Sequence, residues 1–566
     1  MLIFSSSYKP LHKLNIHQSF KANAEAKSSC FTQSMISCMD ANYFKQALMV
    51  KEAKHVYKKL ICEDPMECLQ MTDIIQRIGI EHHFEEEIEA ALQKQHLMLS
   101  SDLSDFVNSH QLYEIALTFR LLRQGGHHVS ADLFEFLNFD KRKFKEKYGE
   151  DVKGLIALYE ASQLSIEGED RLDNTGYLVC ELLREWLSRH QDSGEATSVA
   201  NTLQDPFHYG LSRFMDRRVL LRDFKAKNEW TCLEELAQIN SCIITFMNQN
   251  EIIEVSKWWR GLRLAKEMEF AGYQPLTGYM WPMACYTDPH LSNERIEITK
   301  PISLIYIIDD IFDVYGTLDQ LALFTDAVNR WELAGTEQLP DFMKSCLSTL
   351  YNITNDFAEM IYEKHGFNPI DTLKKSWVQF LNACLVSAHW LKSSHLPKAE
   401  EYLNNEIVST GVHVMLIHAF FLLDHGITKE TVAIMEDNFP NIIYSVAKIL
   451  RHSDDLEGAK NEQNGLDGSY LDCYMNEHQD ISAEDVHRHV AHLILDEWKC
   501  LNREILTPNP FPSSFTKICL NAARMVPLMY HYHSNPSLSN FQKDVKSLVN
   551  VGAENVKYLY VLKGGY

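Results

Sequence analysis

Chain breakers are scarce, with 23 glycines and 16 prolines in 566 residues, about half the usual combined share of ~12%. So few turn formers in so long a chain argue against a many-stranded β protein and for helices. Paired cysteines are lacking as well. Thirteen cysteines run from Cys30 to Cys519 with no CxxC and no Cys/His spacing for zinc. An odd, scattered set in a chain of this size reads as reduced thiols in a reducing compartment. No uncharged apolar run reaches the roughly 18 residues of a membrane span; the nearest, 412–423, carries His413 and His418. Positive charge is in deficit: 54 Lys and Arg against 77 Asp and Glu leave a net −23. Nucleic acid is thereby excluded as a partner, because its binding rests on neutralising phosphates. An anionic small substrate is not excluded, but local cations or metals have to hold it. What is present is ordinary for a soluble protein, 45% hydrophobic and 23% charged residues, in a chain long enough for at least two domains.

The first 38 residues stand apart. They hold one acid, Glu25, against Lys9, Lys13, Lys21 and Lys27, and eight serines from Ser5 to Ser37. A basic, serine-rich, acid-poor leader predicts an organelle transit peptide, with an untargeted terminus and a cytosolic protein as the alternative. Beyond it, Ile74, Ile75 and Ile78, then Phe84, Ile88 and Leu92, recur at helical spacing on either side of Gly79. Tyr113, Leu117 and Leu121 form another stripe, stopped by Gly125 and Gly126, and Ser130 suits an N-cap. No alternating strand series and no internal repeat occurs. A basic stretch, 217–227, reads as the junction of two helical domains, predicting 39–225 and 226–566 as the folded units after a leader at 1–38.

Chemistry concentrates in the second half. Asp309-Asp310-Ile311-Phe312-Asp313 follows eight residues without a charge, Pro301 to Ile308. On a helix, positions four apart point the same way, so Asp309 and Asp313 share a face. Carboxylates crowded at the end of an apolar helix repel one another and resist desolvation. Lys300, nine residues before Asp309, is too far to help. Divalent cations solve the problem, and hard oxygen ligands suit Mg²⁺ or Mn²⁺. The alternative is a helix end whose aspartates are simply solvated. A second acidic segment, 454–462, follows another apolar run, 442–450, and places Asp454, Gly458 and Glu462 at i, i+4 and i+8. Alone it is an ordinary charged helix end; two such clusters support each other.

These two motifs resemble those of plant terpene synthases, and the resemblance extends from about Asp40 to near the C-terminus. It includes 73–80, His83-Phe84, 119–124 and Leu158-Tyr159-Glu160-Ala161-Ser162. It implies an all-α, two-domain protein: an N-terminal α-barrel without the DxDD motif of protonation-initiated cyclases, and a C-terminal class I helical bundle. It implies that three Mg²⁺, with Mn²⁺ as a substitute, bind a prenyl diphosphate substrate. Asp309 and Asp313 carry over as ligands from one wall, Asp454 and Glu462 from the other. Arg451 matches an arginine that contacts the diphosphate, its other reading being a solvated partner of Asp454 and Asp455. Trp281 and Tyr530 match pocket aromatics, and Ser409-Thr410-Gly411 matches a broken helix lining the pocket; each is also compatible with plain core packing.

Departures from the family pattern narrow the expectation. The paired-arginine motif followed by tryptophan is missing, the first tryptophan being Trp186. The RxR motif reads Gly272-Tyr273-Gln274, and the hydroxyl ligand of the second metal motif is Gly458. The tail 531–536 lacks an acidic loop. Together with Tyr279-Met280-Trp281-Pro282-Met283 and Asp467-Gly468-Ser469-Tyr470, these losses resemble the subgroup that makes acyclic alcohols. The expected function is therefore ionisation of geranyl diphosphate, or farnesyl diphosphate, and capture of the cation by water to give linalool or nerolidol. Acyclic olefins such as myrcene or ocimene are the enzymatic alternative. An inactive helical paralogue is the other, since Gly458 removes a metal ligand unless water fills the gap. A monomer in the plastid is expected, with the cytosol as the alternative compartment.

Overall fold

The computed structural model describes residues 28–534 apart from 102, 138–139, 192, 213–229, 269–273, 424, 438 and 462–467; the helical side chains of 28–40, 231, 274, 437, 459–461 and 530–534 are also outside the description. Residues 1–27 of the predicted leader and the basic stretch 217–227 therefore lie outside what is described, while 28–38 of that leader belong to the helix Ser28–Glu63. Every α, 3₁₀ or π element among the described residues is a helix, as the scarcity of breakers predicts, and no strand occurs among them. The chain forms two compact units, one comprising the described residues up to 246 with 502–509, the other 247–501 with the described residues from 510.

The first unit contains α1 (Ser28–Glu63), α2 (Pro65–Arg77), α3 (Glu85–Ser101), α4 (Leu103–Ser109), α5 (Leu112–Gln124), α6 (Lys141–Tyr148), α7 (Val152–Ser162), α8 (Asp170–Arg189) and α9 (Gly194–Gln204). Helix α2 starts where Asp64 accepts a bond from the Glu67 N–H, with Pro65 at the first helical position, and it ends before Gly79. A reciprocal cap between Gln111 and Glu114 starts α5, and Gly125 ends it. Of the predicted stripes, Ile75, Ile78, Phe84, Leu92, Leu117 and Leu121 are buried, while Ile74, Ile88 and Tyr113 are half-buried. Ser130 caps a short 3₁₀ turn, Ala131–Phe134.

Helix α10 (Thr231–Gly261) contains the division between the units. The second unit continues with α11 (Leu264–Glu267), α12 (Gln274–Cys285), α13 (Ser292–Asp310), α14 (Leu318–Arg330), α15 (Asp341–His365), α16 (Ile370–Ser393), α17 (Ala399–Ser409), α18 (Val412–Phe421), α19 (Lys429–Asp437), α20 (Asn441–Asn461), α21 (Tyr470–Glu477), α22 (Ala483–Leu506) and α23 (Ser513–Ser534). All ten residues of α18 are buried, so the most apolar run of the sequence is a core helix. His418 fits there as a neutral ring: burial pushes its pKa down to about 4, its Nδ1 faces the Val414 carbonyl at 2.7 Å, and Phe357 and Trp377 pack edge-on against it. Helix α13 packs against α12, α15 and α18, which puts its C-terminal end inside the unit.

Candidate active site

The first acidic motif spans a change of helix type. Helix α13 is α-helical to Asp310, and Ile311–Tyr315 continues as one π turn closed by the Gly316 N–H bonding the Ile311 carbonyl at 2.8 Å. A side chain at 316 would put its Cβ 2.4 Å from Leu321 Cδ2 and 3.0 Å from the Ile311 carbonyl, so anything larger than glycine has to displace Leu321. Helix bulges of this kind are frequent at functional sites. Residues 301–308 are buried, and Asp309 at their end is only 4% exposed. Burial raises its carboxyl well above the usual range, and the charges of Asp313, Asp310 and Asp454 add to the effect. No described arginine or lysine forms an ion pair with it. Lys300, the nearest preceding cation in sequence, pairs with Glu297 at 2.6 Å.

The second motif lies on α20, where Asp454, Asp455 and Glu457 are all buried. Arg451 is 1% exposed and its Nη2 donates to Asp454 Oδ2 at 2.5 Å and to Asp455 Oδ1. The pairing anticipated as one reading of Arg451 is present, but it is buried rather than solvated. Its Nε and Nη1, also buried, make no hydrogen bond. Asp455 is held besides by the Tyr402 hydroxyl at 3.0 Å and the Tyr470 N–H at 3.3 Å, so its oxygens are committed to the protein. The neighbouring His452 is pushed down to about 3 by burial and then by the Arg451 charge, and it adds no cation. Glu462 lies outside the described residues, and Gly458 sits one turn past Asp454 on α20.

Two side chains that the motifs did not reveal, Tyr402 and Glu406, complete this region with Ser409 of the predicted helix break. Tyr402, Glu406 and Ser409 fall at i, i+4 and i+7 on α17 and share one face. Glu406, 1% exposed, accepts from Ser387 Oγ of α16, from Asn405 Nδ2 at 3.1 Å and from Ser409 Oγ at 2.7 Å. Its Oε2 lies 4.0 Å from Arg451 Nη1. The helical spacing was visible in the sequence; that an acid there turns inward was not, because no second acid accompanies it.

The predicted break of the helix after Ser409 is present. Gly411 has φ +69°, and a Cβ there would lie 2.7 Å from Ile305 Cγ2, one turn before Asp309. Trp281 is buried on α12 and donates its ring N–H to the Tyr306 hydroxyl of α13 at 2.8 Å. Tyr279, in the same stretch, has a structural role: its hydroxyl donates to Glu251, which holds Arg295 by two bonds of 2.7 and 2.9 Å. The side chain of Tyr530, the Gly272–Gln274 substitution of the RxR motif and the tail 531–536 are outside the description. His489 packs against the Tyr474 ring at 4.5 Å, consistent with a packing rather than a ligand role.

Among the described residues no three His, Cys, Asp or Glu side chains converge into a metal cage. Mg²⁺ does not require one, since it keeps several waters and takes substrate phosphate oxygens. The donor set fits such an ion: carboxylate oxygens only, with Asp309 destabilised in its charged form until a cation arrives.

Two sequence-family models cover most of the chain: "Terpene synthase, N-terminal domain" over residues 15–203 and "Terpene synthase family, metal binding domain" over 260–500. A soybean (Glycine max) protein named neryl diphosphate diphosphatase, chloroplastic, is 70% identical over 91% of this chain and 97% of its own. A Cannabis sativa (E)-nerolidol synthase is 45% identical over 86% and 89%. Grey poplar (Populus x canescens) isoprene synthase, solved with three Mg²⁺ ions and dimethylallyl-S-thiolodiphosphate, superposes with a TM-score of 0.81 at 32% identity, over 90% of this chain and 98% of its own. The chain belongs to the terpene synthase family. It is a class I enzyme acting on prenyl diphosphates with the family's two-domain all-α fold and metal-binding domain.

Proposed function

We propose that this enzyme ionises a C10 prenyl diphosphate, and its C15 homologue, and lets water capture the allylic cation, releasing an acyclic alcohol. The observation that carries the reading is the buried Arg451, whose Nε and Nη1 are bonded to no protein group beside an excess of buried carboxylate. A ligand that accepts hydrogen bonds from Arg451 and cations that satisfy Asp309 complete both at once. Mg²⁺, or Mn²⁺ in its place, held as three ions by Asp309 and Asp313 from one side and Asp454 and Glu462 from the other, would neutralise the charge that develops on the leaving diphosphate.

Arg451 donates from Nε and Nη1 to the departing diphosphate, which takes the electron pair of the broken C–O bond. Asp309 and Asp313, the catalytic ligands, would hold the cations that neutralise the same leaving group. Trp281 and Tyr530 offer π faces to the cation left behind, in a lining that excludes all but a captured water. Water oxygen bonds the tertiary carbon and loses a proton, giving linalool from geranyl diphosphate and nerolidol from farnesyl diphosphate. Gly272 and Gln274 stand where arginines would grip the diphosphate; a looser grip favours capture over recombination and cyclisation. The soybean relative's name supports a second reading, in which neryl diphosphate is the substrate and water adds at the primary carbon. That relative's chloroplastic label and the basic leader support a plastid address; we take the enzyme to act as a monomer.

The full chain, incubated with Mg²⁺ and geranyl, neryl or farnesyl diphosphate, is expected to yield acyclic alcohols by chiral gas chromatography with mass detection, and Asp309→Ala to abolish them. Mainly cyclic products or olefins would overturn water capture. No turnover with either metal would favour the inactive paralogue, with Gly458 as the cause.

A further inference from the structure

We propose that Tyr402 is a positioning residue which, through Asp455, keeps the Nε–Nη1 edge of Arg451 in place for the departing diphosphate. The inference rests on the reading that Arg451 meets the diphosphate, and adds what holds the guanidinium there. Arg451 Nη2 donates to two acids, Asp454 Oδ2 at 2.5 Å and Asp455 Oδ1. A planar guanidinium bonded twice from one nitrogen is fixed in its plane and in its direction. The two acids differ in what else they do. In the proposed function Asp454 also serves a cation, which competes with Arg451 for its oxygens. Asp455 is held by donors from three parts of the fold: Arg451 on its own helix, the Tyr402 hydroxyl of α17 at 3.0 Å and the Tyr470 N–H at 3.3 Å. Tyr470 is the first residue of α21, and the N–H groups of a first helical turn have no carbonyl within their own helix.

Asp455 is therefore the acid that keeps its bond to Arg451 when a cation draws on Asp454. Tyr402 contributes in two ways. Its hydroxyl bonds the same Oδ1 that accepts from Arg451 Nη2, so it sets the direction of that oxygen. Its ring centroid lies 6.0 Å from the guanidinium carbon, and the Trp390 ring stacks on it in turn. A guanidinium bonded to a fixed carboxylate and bordered by a ring loses little further freedom when its ligand arrives, which is how preorganisation adds affinity. The Tyr402 hydroxyl hydrogen is committed to Asp455, so the effect of Tyr402 on the ligand runs through Arg451.

The test uses the full chain with Mg²⁺ and inorganic diphosphate as the probe, measuring affinity by calorimetry and as competitive inhibition of turnover, with thermal melts to establish folding. Tyr402→Phe keeps the ring and removes the hydroxyl. It is expected to bind diphosphate about fivefold more weakly and to raise KM for the prenyl diphosphate. Asp455→Asn is expected to weaken diphosphate binding at least as much, and carries the same readout if the phenylalanine variant does not fold. Arg451→Gln is expected to weaken binding by itself, and Tyr402→Phe added to it to cause no further loss. Unchanged diphosphate affinity in folded Tyr402→Phe would overturn the proposal, whatever its melting temperature. An equal loss from Tyr402→Phe with and without Arg451 would make the tyrosine a general support of the fold, and would overturn it equally. If Arg451→Gln bound diphosphate as the wild type does, the underlying reading of Arg451 would fall, and this inference with it; that outcome is separate because neither 402 nor 455 is substituted in it.

Discussion

In the unit built on α2, α5 and α7, buried acids and cations are matched. Asp73 accepts from Arg77 at 2.8 Å and from Arg120; Arg123 forks onto Glu169 and onto the Val129 and Leu164 carbonyls; Glu160 lies 3.8 Å from Arg77 and accepts from the Phe207 N–H at 2.9 Å. The rings of Phe207 and Phe119 cover the guanidiniums. In the other unit Glu251 and Arg295 are matched too, but at the ends of α13 and α20 charge is treated in the opposite way. The charges of Asp313, Asp310 and Asp454 bear on Asp309, while Arg451 bonds Asp454 and Asp455 and lies 4.0 Å from Glu406. Burial pushes the Asp73 carboxyl upward and the two arginines more than reverse it, so it ends below its usual range, whereas Asp309 ends well above. A matched network stabilises a fold once formed; a buried carboxyl held well above its usual range, as Asp309 is, stores a demand that a cation meets.

The sharpest way to separate the two is Asp309→Asn. Turnover is expected to fall by at least ~10²–10³-fold, in the range seen when a group stabilising developing charge is removed, while the melting temperature of the metal-free protein rises. A lower melting temperature would show that Asp309 is satisfied by the protein itself. Arg120→Ala reverses the pattern. It removes one of the two guanidiniums on Asp73 and leaves Arg77, and is expected to cost about 2–3 kcal/mol in denaturant unfolding, with kcat per folded molecule little changed. Gly411→Ala tests the close approach of the broken helix to Ile305. Its left-handed backbone alone costs about 1–2 kcal/mol and the contact adds to that, so a loss of roughly 2–3 kcal/mol is expected by the same unfolding measurement.

The smallest effect is a pH dependence with opposite signs. A carboxyl with a raised folded-state pKa favours folding below its unfolded value near ~3.9 and opposes folding above its folded value. The stability gain of Asp309→Asn, measured in chelator, is therefore expected to be largest at pH 8 and to close as pH falls through the raised pKa of Asp309. Asp73, whose pKa is lowered, contributes fully above ~3.9 and loses its contribution as pH falls through its folded value. The deficit of Asp73→Asn should be constant near neutrality and shrink only in strong acid. Parallel pH profiles for the two variants would contradict the contrast between the units.

Much of the site was legible because its signals are local. Two acids four residues apart after an apolar run state a conflict between burial and charge that no fold resolves without a partner, and the glycines at 79, 125 and 411 mark helix ends wherever those helices pack. The stripes at 74–92 and 113–121 identified core faces from their period alone. Glu406 escaped because its meaning depends on Ser387, nineteen residues earlier, and Arg451, forty-five later. The i, i+4 pairing of Asp309 and Asp313 was argued for an α-helix, whereas the segment turns π after Asp310 and closes with the Gly316 N–H on the Ile311 carbonyl.

The amino-acid order by itself determined that the chain is helical, where its helices stop, which faces are apolar and which stretches carry acids into apolar surroundings. These follow from backbone preference and hydrophobic period, both readable within a few residues. Only the tertiary structure decided that Arg451 is sealed from water with its Nε and Nη1 making no hydrogen bond, and that Glu406 lies 4.0 Å from that Nη1. The tertiary fold also decided that the arginines at 77, 120 and 123 meet acids in equal measure. Burial and long-range pairing set these outcomes, and neither is a property of any segment taken alone.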